Sequence, residues 1–291
     1  MLGKLKLLTQ ICPNCRSEMA QGCAAWHFQC ADCSYEKSTL PSAINSNAEH
    51  ILIDESSRKS ALRDLRISNF QKIIENLRTL RPQGGRLLEV GCAHGWFLGL
   101  ASKSFQVLGL EPDRDIYQSS RYEQNNVRMG YFPEALAASE IFDVIVFNDV
   151  IEHIPDIQKT IIDCKMHLNQ GGLLALNLPS SQGIFYRISK GLVKLGFPGS
   201  FSRMWQVGLP SPHVHYLNNE TTASLLERNG FTVKFHRSLP TLSLSGLWGR
   251  LTYTGENHPV ISAAMFVAIV VGYPALRLLP ADIIYVGAKR K

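Results

Sequence analysis

The chain has 291 residues, enough for one large domain with a small additional module. Hydrophobic residues make up 45% and charged residues 19% of the sequence, values that exclude a disordered acidic chain, a collagen and a coiled coil. The formal net charge of +6 permits contact with anionic lipid or RNA, but lysine and arginine are dispersed along the chain. Charge alone therefore identifies no partner.

The beginning of the chain indicates its environment. The segment MLGKLKLLTQ at residues 1–10 carries two lysines but no apolar stretch of the length found in secretory signals. The seven cysteines are an odd number with four in two close pairs, which is more typical of thiolates and metal binding than of disulfides. We therefore expect a cytoplasmic protein.

Four of the cysteines form two short pairs. Cys12 and Cys15 make one Cys-x-x-Cys pair, and Cys30 and Cys33 make the other. Two such pairs can present four thiolates to one tetrahedral zinc ion, and four protein ligands leave no open position for water. The pattern resembles a zinc ribbon and predicts a structural zinc site in a module at residues 1–42. The complete pairs leave no need for two further side chains that lie between them, Cys23 and His27.

The rest of the chain alternates between apolar runs and helical patterns. A polar stretch at 41–50 predicts a linker, and apolar residues between 55 and 80 recur every three or four positions, which predicts an amphipathic helix. The predicted strands are RLLEV, QVLGL, VRMG, DVIVF, GLLALNL, FTVKFH and DIIYVGA; further helices are predicted at 96–104, 115–125, 157–168 and from a cap at Asn219-Glu220 to Gly230. This order predicts an α/β fold with a Rossmann-like, seven-stranded, doubly wound sheet in a second module at 55–291, joined to the small N-terminal zinc ribbon.

Two insertions interrupt this order. Residues 181–217 follow the fifth strand, where a doubly wound sheet has its ligand crevice, and we predict that they form a lid over the substrate. Residues 239–280 separate the last two strands and contain the apolar run VISAAMFVAIVVGYPAL at 260–276. This run is marginal in length for a membrane span, and flanking strands in one sheet require it to return to the side where it began. Two interpretations stay open: a buried helix, or a helix lying on a membrane surface.

The segment LLEVGCAHGWFL at residues 87–98 leads from a strand through a turn into a helix. Gly91 and Gly95 let the backbone approach a ligand closely. Ala93 and Trp96 stand where the dinucleotide fingerprint G-x-G-x-x-G has its other glycines. Glu111 ends the next strand, where a carboxylate can accept hydrogen bonds from both hydroxyls of a ribose. The pattern therefore favours a nucleoside ligand and counts against a nicotinamide-dependent oxidoreductase.

Five segments in this order resemble the motifs of class I S-adenosylmethionine-dependent methyltransferases. They are LEVGCAHG, GLEPD, FDVIVFNDVIEHIPD at 142–156, LNQGGLLALNLPS at 168–180 and HVHYLNNETTASLLERNGF at 213–231. The similarity is greatest to small-molecule and lipid-precursor O-methyltransferases such as those of the ubiquinone pathway, whose fourth motif also ends in Glu-His. The resemblance implies an enzyme that transfers a methyl group from S-adenosylmethionine to a small or lipid-like acceptor, at a hydroxyl.

The same resemblance implies roles for individual residues. The residues implied to bind the methionine part of the cofactor are Glu89, Gly91, Cys92 and Gly95. Glu111 is implied to bind the ribose, Phe132 to flank the adenine and Asn148 to approach the sulfonium. The family's first motif usually has an additional glycine where Ala93 stands in this chain.

A hydroxyl acceptor must lose a proton, and a neutral imidazole can accept it near pH 7. Three histidines are candidates for the catalytic base: His153 at the end of the fourth-strand motif, and His213 and His215 in the lid segment. The alternative for each is a structural role in capping, packing or hydrogen bonding.

The lid segment mixes apolar and basic side chains. They are Ile184, Phe185, Tyr186, Phe197, Phe201, Met204 and Trp205, with Arg187, Lys190, Lys194 and Arg203 between them. The mixture is compatible with an ordinary lid core under solvated cations, or with a slot for an apolar acceptor that carries an anionic head, such as a lipid-linked intermediate. The apolar run at 260–276 favours the second interpretation and a membrane-associated protein.

Two other functions stay open. Zinc ribbons joined to this fold occur among RNA methyltransferases, but those that methylate amino groups commonly have Pro-Pro after Asn or Asp, whereas this chain has Val150 and Ile151 after Asp149. The second alternative is a non-catalytic binding or assembly module that uses the ribbon as its docking surface.

Overall fold

A computed structural model describes residues 10–42, 55–120, 126–241, 244, 247–252, 259–276 and 278–291. The first nine residues, most of the predicted linker and parts of the 239–280 insertion lie outside the described residues. The ribbon consists of four short antiparallel strands: β1 (Gln10–Ile11), β2 (Glu18–Gln21), β3 (His27–Cys30) and β4 (Glu36–Ser38).

The larger part of the chain forms a doubly wound α/β domain. Its elements are α1 (Glu55–Leu80), β5 (Arg86–Val90), α2 (Trp96–Ala101), β6 (Gln106–Glu111), α3 (Arg114–Ser119), β7 (Val127–Met129), β8 (Phe142–Asn148), a 3₁₀ turn (Ile151–His153), α4 (Ile157–His167), β9 (Leu168–Pro179), α5 (Ile184–Lys194), α6 (Gly199–Met204), β10 (His215–Tyr216), α7 (Asn219–Arg228), β11 (Phe231–Leu239), α8 (Leu247–Thr252), α9 (Pro259–Leu276) and β12 (Ile283–Arg290). Seven described strands form the main sheet in the order β11-β12-β9-β8-β5-β6-β7. The predicted fold class is confirmed.

Apolar runs cover both faces of this sheet. Leu87 of β5 and Val144 of β8 pack with Ile73 of α1 on one face. Leu88 of β5 and Ile145 of β8 belong to the core on the other face, with α4 and α7. Because neighbouring side chains on a strand point to opposite faces, a continuous apolar run is what a sheet covered on both sides requires.

Two predicted helix boundaries differ from those in the structure. The helix predicted at 115–125 ends at Ser119, and residues 121–125 lie outside the described residues. The cap of α7 is Asn218, not Asn219, because the Asn218 side chain accepts a hydrogen bond from Thr221 N and the Thr221 hydroxyl accepts one from Asn218 N. This capping box fixes the start of the helix one residue earlier than predicted.

The ribbon is packed against the lid segment at 181–217, which contains α5, α6 and β10. Strand β10 pairs antiparallel with β4, so the ribbon sheet gains a fifth strand from the lid segment. The Ser38 hydroxyl also donates to the His213 carbonyl over 2.8 Å. Aromatic rings complete this interface, with Trp26 stacked on Phe201 at 5.7 Å between ring centroids.

Helix α9 holds the apolar run and lies outside the core. Its described side chains are mostly exposed, including Val267 at 60% and Val271 at 76%. The interpretation as a buried helix is therefore wrong, and β11 and β12 pair antiparallel on either side of the insertion as the return argument requires. Among the described residues, no helix has the length and apolar character needed to cross a bilayer.

Candidate functional site

The carboxyl ends of the parallel strands form a crevice beside β5. The strand order reverses there, with β8 on one side of β5 and β6 on the other, and doubly wound sheets bind ligands at such a point. Glu89 in β5, Glu111 in β6 and Asn148 in β8 lie at this edge and are 2%, 5% and 8% exposed. The structure thus brings three of the sequence-predicted residues together.

Glu89 and Asn148 are in direct contact. Asn148 Nδ2 donates a hydrogen bond to Glu89 Oε1 over 2.8 Å. The remaining oxygens, Glu89 Oε2 and Asn148 Oδ1, are buried and have no hydrogen-bond partner among the described residues. Burial raises the pKa of Glu89 to about 8 despite the Asn148 hydrogen bond. Because an unpartnered buried acceptor costs roughly 1–3 kcal/mol, this pair suits a ligand that donates hydrogen bonds or carries positive charge.

Glu111 holds the turn that follows β5. Its Oε2 accepts from Ala93 N over 2.8 Å and its Oε1 from Asp113 N over 2.9 Å. Burial raises the pKa of Glu111, and these two donors oppose that effect. Gly91, Ala93 and Gly95 have φ values of 68°, 42° and 68°. The turn is therefore left-handed at three positions, and Ala93 occupies a conformation that glycine adopts more easily.

Neighbouring side chains also pack tightly against this turn. A Cβ atom on Gly91 would lie 2.6 Å from Val150 Cγ2, so the position has no room for a side chain. The side chain of Cys92 is buried with Leu98 and Val127. It therefore stabilises the turn from the interior.

Phe132 lies at the edge of the core. Its ring makes edge contacts with Phe147 and His167, with centroids 5.9 Å apart in each pair. His167 is at the end of α4, where its Nδ1 lies 2.8 Å from the carbonyl of Glu140, ahead of β8. Phe132 is thus partly buried, and it lines the same cavity beside the end of β7 as its neighbour Tyr131, which is 52% exposed.

Two residues at the crevice were missed by the sequence reasoning. Asn177 pairs with Asn148 in the β8–β9 register, and its buried Oδ1 has no partner among the described residues. Asp149 has a left-handed backbone with φ of 54°; burial raises its pKa, while Arg66 and His153 oppose this. The available signal for Asn177 was a polar residue within the apolar strand GLLALNL.

His153 and His213 meet beside this edge, with ring centroids 4.7 Å apart. His153 Nδ1 lies 3.0 Å from the Pro212 carbonyl oxygen, which can only accept, so Nδ1 carries the proton and Nε2 keeps a lone pair. That Nε2 lies 3.9 Å from Glu152 Oε1. His213 Nε2 lies 2.9 Å from Gln206 Nε2, an amide nitrogen that can only donate. Both imidazoles thus have a defined tautomer.

Burial keeps both rings neutral. It lowers the pKa of His153 and lowers that of His213 to about 3. Burial also raises the pKa of Glu152 well above its ordinary value, and Asp149 adds to the effect. One ligand atom each of Glu152, His153 and His213 lies within 4.8 Å of the others. The three groups can share a proton, a water molecule or a small cation.

His215 is separated from these groups. It is fully buried, and its Nε2 donates to the Ile154 carbonyl over 2.9 Å. Its ring lies edge-on to Tyr35 of the ribbon at 5.8 Å, and burial lowers its pKa to about 4. The structure therefore brings His153 and His213 together and leaves His215 at the ribbon interface.

The four paired cysteines converge on one point of the ribbon. Their sulfurs lie within 4.8 Å of one another, with Cys12 and Cys33 at 3.5 Å and Cys15 and Cys30 at 3.4 Å. A tetrahedral zinc ion with Zn–S bonds of about 2.3 Å requires sulfurs about 3.8 Å apart. The donor set fits zinc and leaves no open coordination position. His27 is occupied elsewhere, since its Nδ1 accepts from Cys23 N over 2.9 Å.

The two cysteine pairs sit in matching turns. Arg16 N donates to the Cys12 carbonyl over 3.0 Å, and Ser34 N donates to the Cys30 carbonyl over 3.0 Å. Arg16 and Ser34 both adopt left-handed backbone, with φ of 70° and 60°. The repeated turn presents both thiols of a pair to the same side.

A family profile described as "Methyltransferase domain" matches residues 62–234 of this chain, which is more than half of it. The chain belongs to this methyltransferase family. The methyltransferase also shares the class I fold with a solved S-adenosylmethionine-dependent methyltransferase from Thermotoga maritima, with a TM-score of 0.52 and 14% identity over 82% of this chain and 96% of the other. At that identity the likeness concerns the fold alone.

The curated relatives match the methyltransferase over only part of their own length. The ubiquinone biosynthesis O-methyltransferase of Rickettsia akari is 29% identical over 97 residues, covering 31% of this chain and 39% of the relative. The mitochondrial ubiquinone biosynthesis O-methyltransferase of Homo sapiens is 24% identical over 218 residues, covering 68% of this chain and 56% of the relative. The methyltransferase thus spans about half the length of the curated relatives it matches.

Proposed function

We propose that the protein transfers a methyl group from S-adenosylmethionine to a hydroxyl of a small or lipid-like acceptor. The observation that carries this proposal is the occurrence of two buried polar pairs at one sheet edge: Glu89 with Asn148, and His153 with His213. The first pair suits a cationic cofactor and the second a proton acceptor. The names of the ubiquinone-pathway relatives agree with a hydroxyl as the methylated group.

The cofactor-binding residues have the chemistry that the ligand needs. When bound, the cofactor supplies an electrophilic methyl group on a sulfonium, so the protein's task is mainly to position the reactants. The unpartnered oxygen of Glu89 can face positive charge, and Asn148 orients that carboxylate. Each Glu111 oxygen accepts one backbone donor and keeps a lone pair for a ribose hydroxyl. Backbone groups from Gly91 through Gly95 line the methionine part.

The adenine contact is assigned to residues that follow β7. Phe132 and its exposed neighbour Tyr131 line one cavity, so we assign the adenine contact to these two rings. Side chains that stack on a base need an accessible ring face, which Tyr131 has.

His153 is our candidate for the catalytic base. Its Nδ1 is committed to the Pro212 carbonyl, so a neutral Nε2 with a free lone pair faces Glu152 and the crevice. His213 holds the lid segment next to that ring and can orient the acceptor. His215 is buried at the ribbon interface, and we assign it a positioning role. We propose that the four paired cysteines of the ribbon would hold a structural zinc ion.

Two exposed apolar surfaces of the protein suit a membrane. Helix α9 has no charged residue between Pro259 and Leu276, and its valines are exposed. On the lid segment, exposed Leu195 at 71% and Phe197 at 65% lie next to basic residues such as Lys194. Apolar side chains flanked by cations are the composition that binds anionic lipid surfaces. We therefore propose peripheral attachment to a membrane, with the acceptor taken from it.

Calorimetry of S-adenosylmethionine binding is the first test of the proposed function. We expect micromolar binding that Glu111→Ala abolishes and that Glu75→Ala, which removes an exposed carboxylate on α1, preserves. Radiolabelled methyl transfer to a total lipid extract, but not to total RNA, is the second expected result. Absence of binding by folded, zinc-loaded protein would overturn the enzyme in favour of an adaptor, and label in RNA would overturn the acceptor class.

Sedimentation with phospholipid vesicles tests the membrane surface. We expect binding to vesicles with anionic lipid and at least tenfold weaker binding by Val271→Asp, because a charge is excluded from the apolar interface. The matched control is Met166→Asp, which changes an exposed apolar residue on α4, 66% exposed against 76% for Val271. Equal binding by both variants would contradict the proposal, as would a stable dimer that Val271→Asp dissociates.

A further inference from the structure

The ribbon contains a buried carboxylate with an unusual number of partners. Glu36 of β4 is 3% exposed. Its Oε2 accepts from His27 Nε2 over 2.7 Å and from the Tyr186 hydroxyl over 2.6 Å, and its Oε1 accepts from Lys190 Nζ over 3.0 Å. Burial by itself raises the pKa of Glu36, but the hydrogen bond from His27, the Lys190 ammonium and the Tyr186 hydroxyl together hold it below its ordinary value. Glu36 is therefore an ionised side chain in the protein interior.

Two of the three partners come from the lid segment. Tyr186 and Lys190 lie one turn apart on α5, so both face the ribbon. Lys190 Nζ also donates to Gln29 Oε1 over 3.3 Å and lies 5.8 Å from the Tyr186 ring centroid. The Lys190 ammonium is thus held by ribbon side chains and by its own helix.

The strand that carries Glu36 also fixes the segment of the candidate base pair. Ser38 N donates to the Val214 carbonyl over 3.0 Å, and the Ser38 hydroxyl donates to the His213 carbonyl. From the other side, Val214 N donates to the Glu152 carbonyl over 2.8 Å. The backbone at His213 and Val214 is therefore hydrogen-bonded to the ribbon on one side and to the 3₁₀ turn that carries His153 on the other.

Among the described residues, the cofactor-side carboxylates have no hydrogen bond to the ribbon. The hydrogen bonds of Glu89 and Glu111 run to Asn148, Ala93 and Asp113. Both halves of the crevice share one apolar core with the ribbon, but the hydrogen bonds that position their polar side chains run to different parts of the fold.

We propose that Glu36 is a positioning residue through which the ribbon sets the acceptor half of the site. It fixes α5 through Tyr186 and Lys190 and keeps β4 in register with β10, and by this route it places His213 opposite His153. The ribbon is then a wall of the acceptor site in addition to a stable module. This inference rests on the proposed function, because it assumes that His153 and His213 face the acceptor.

Glu36→Gln tests the proposal in the full-length, zinc-loaded protein, with Glu18→Gln as matched control. Glu18 is an exposed carboxylate on β2 of the same ribbon. For Glu36→Gln we expect the zinc content to be retained and S-adenosylmethionine affinity to stay within about twofold of wild type, since Glu89 and Glu111 have no described hydrogen bond to the ribbon. Amide hydrogen exchange at 184–194 and 213–217 is expected to accelerate at least tenfold, and exchange in β5 and β8 to stay unchanged.

A spectroscopic signature separates positioning from general loosening. In protein labelled with ¹⁵N-histidine, the ring nitrogen signals of His213, assigned by their absence in His213→Gln, report its tautomer. We expect Glu36→Gln to shift these signals and Glu18→Gln to leave them in place. Lys190→Met, which removes the lid partner and leaves the ribbon sequence intact, is expected to give the same shift and the same lid exchange.

Three results would overturn the proposal: lid exchange in Glu36→Gln equal to that of the control, unshifted His213 signals, or a loss of S-adenosylmethionine affinity parallel to the loosening of the lid. Should Glu36→Gln fail to fold, Lys190→Met decides by the same readouts. None of these measurements requires methyl transfer, so failure of the proposed function, seen as absent cofactor binding by wild type, stays distinguishable.

Discussion

Asn148 donates a hydrogen bond to Glu89 over 2.8 Å and leaves the second Glu89 oxygen buried without a partner among the described residues. Since burial raises the Glu89 pKa to about 8, this carboxyl is mainly protonated at pH 7 in the free protein. A cationic ligand favours the carboxylate and lowers that pKa. Binding of S-adenosylmethionine at pH 7 is therefore expected to release up to one proton.

The sign of the pH dependence follows from this release. Affinity is expected to rise between pH 6 and pH 8, by at most about tenfold per unit, and to level off above the pKa of the free carboxyl. Calorimetry in two buffers of different ionisation enthalpy measures the proton count. Glu89→Gln is expected to bind more weakly with no proton release, and Glu75→Gln, at an exposed carboxylate on α1, to behave like wild type. Proton release that persists in Glu89→Gln would contradict the assignment.

Gly91 and Gly99 offer a matched pair of substitutions. Gly91→Ala forces a side chain into a left-handed position 2.6 Å from Val150, whereas a Cβ on Gly99 in α2 has no atom within 4 Å among the described residues. We expect Gly91→Ala to lower S-adenosylmethionine affinity at least tenfold and Gly99→Ala to raise stability by about 0.5–1 kcal/mol, because alanine replaces glycine within a helix. Thermal unfolding and calorimetry of both variants check this, and wild-type affinity in Gly91→Ala would refute the tight turn.

His215 makes folding sensitive to acid. Burial lowers its pKa to about 4, so the folded protein holds the ring neutral where the unfolded chain binds a proton. Its contribution is fully present above the unfolded pKa of about 6.5 and is lost as pH falls toward the folded value; this amounts to about 2 kcal/mol at pH 5. Between pH 7 and pH 5, the free energy of unfolding measured in urea is expected to fall by about 2 kcal/mol less in His215→Gln than in wild type. An unchanged difference between the two pH values would exclude a buried neutral His215.

The zinc site can be tested by comparing two ribbon cysteines. Metal analysis is expected to find one zinc per chain in wild type and in Cys23→Ser, whose backbone N–H serves His27, and none in Cys33→Ser. Because zinc supplies much of the folding energy of so small a module, Cys33→Ser is expected to expose 10–42 to proteolysis. Zinc bound with equal affinity by Cys33→Ser would show that the four paired cysteines are not the ligand set.

Local patterns determined much of this protein. Runs such as RLLEV and DVIVF are mainly apolar, as strands of a sheet covered on both sides are, so they predicted β5 and β8 from sequence alone. The spacing of the cysteine pairs predicted the four-sulfur cluster because each pair closes a turn within six residues. The order of five motifs predicted the family that the profile match shows.

The roles of neighbouring residues were decided only by tertiary structure. His213 and His215 are two residues apart, yet one contacts His153 and the other the ribbon, since the pairing of β10 with β4 turns the chain between them. Phe132 and Tyr131 are adjacent, and packing against Phe147 selects which of them is exposed. The sequence determines which side chains occur at which spacing. Which face of a segment packs against another segment depends on contacts between residues far apart in the chain, such as that between Glu36 and Lys190.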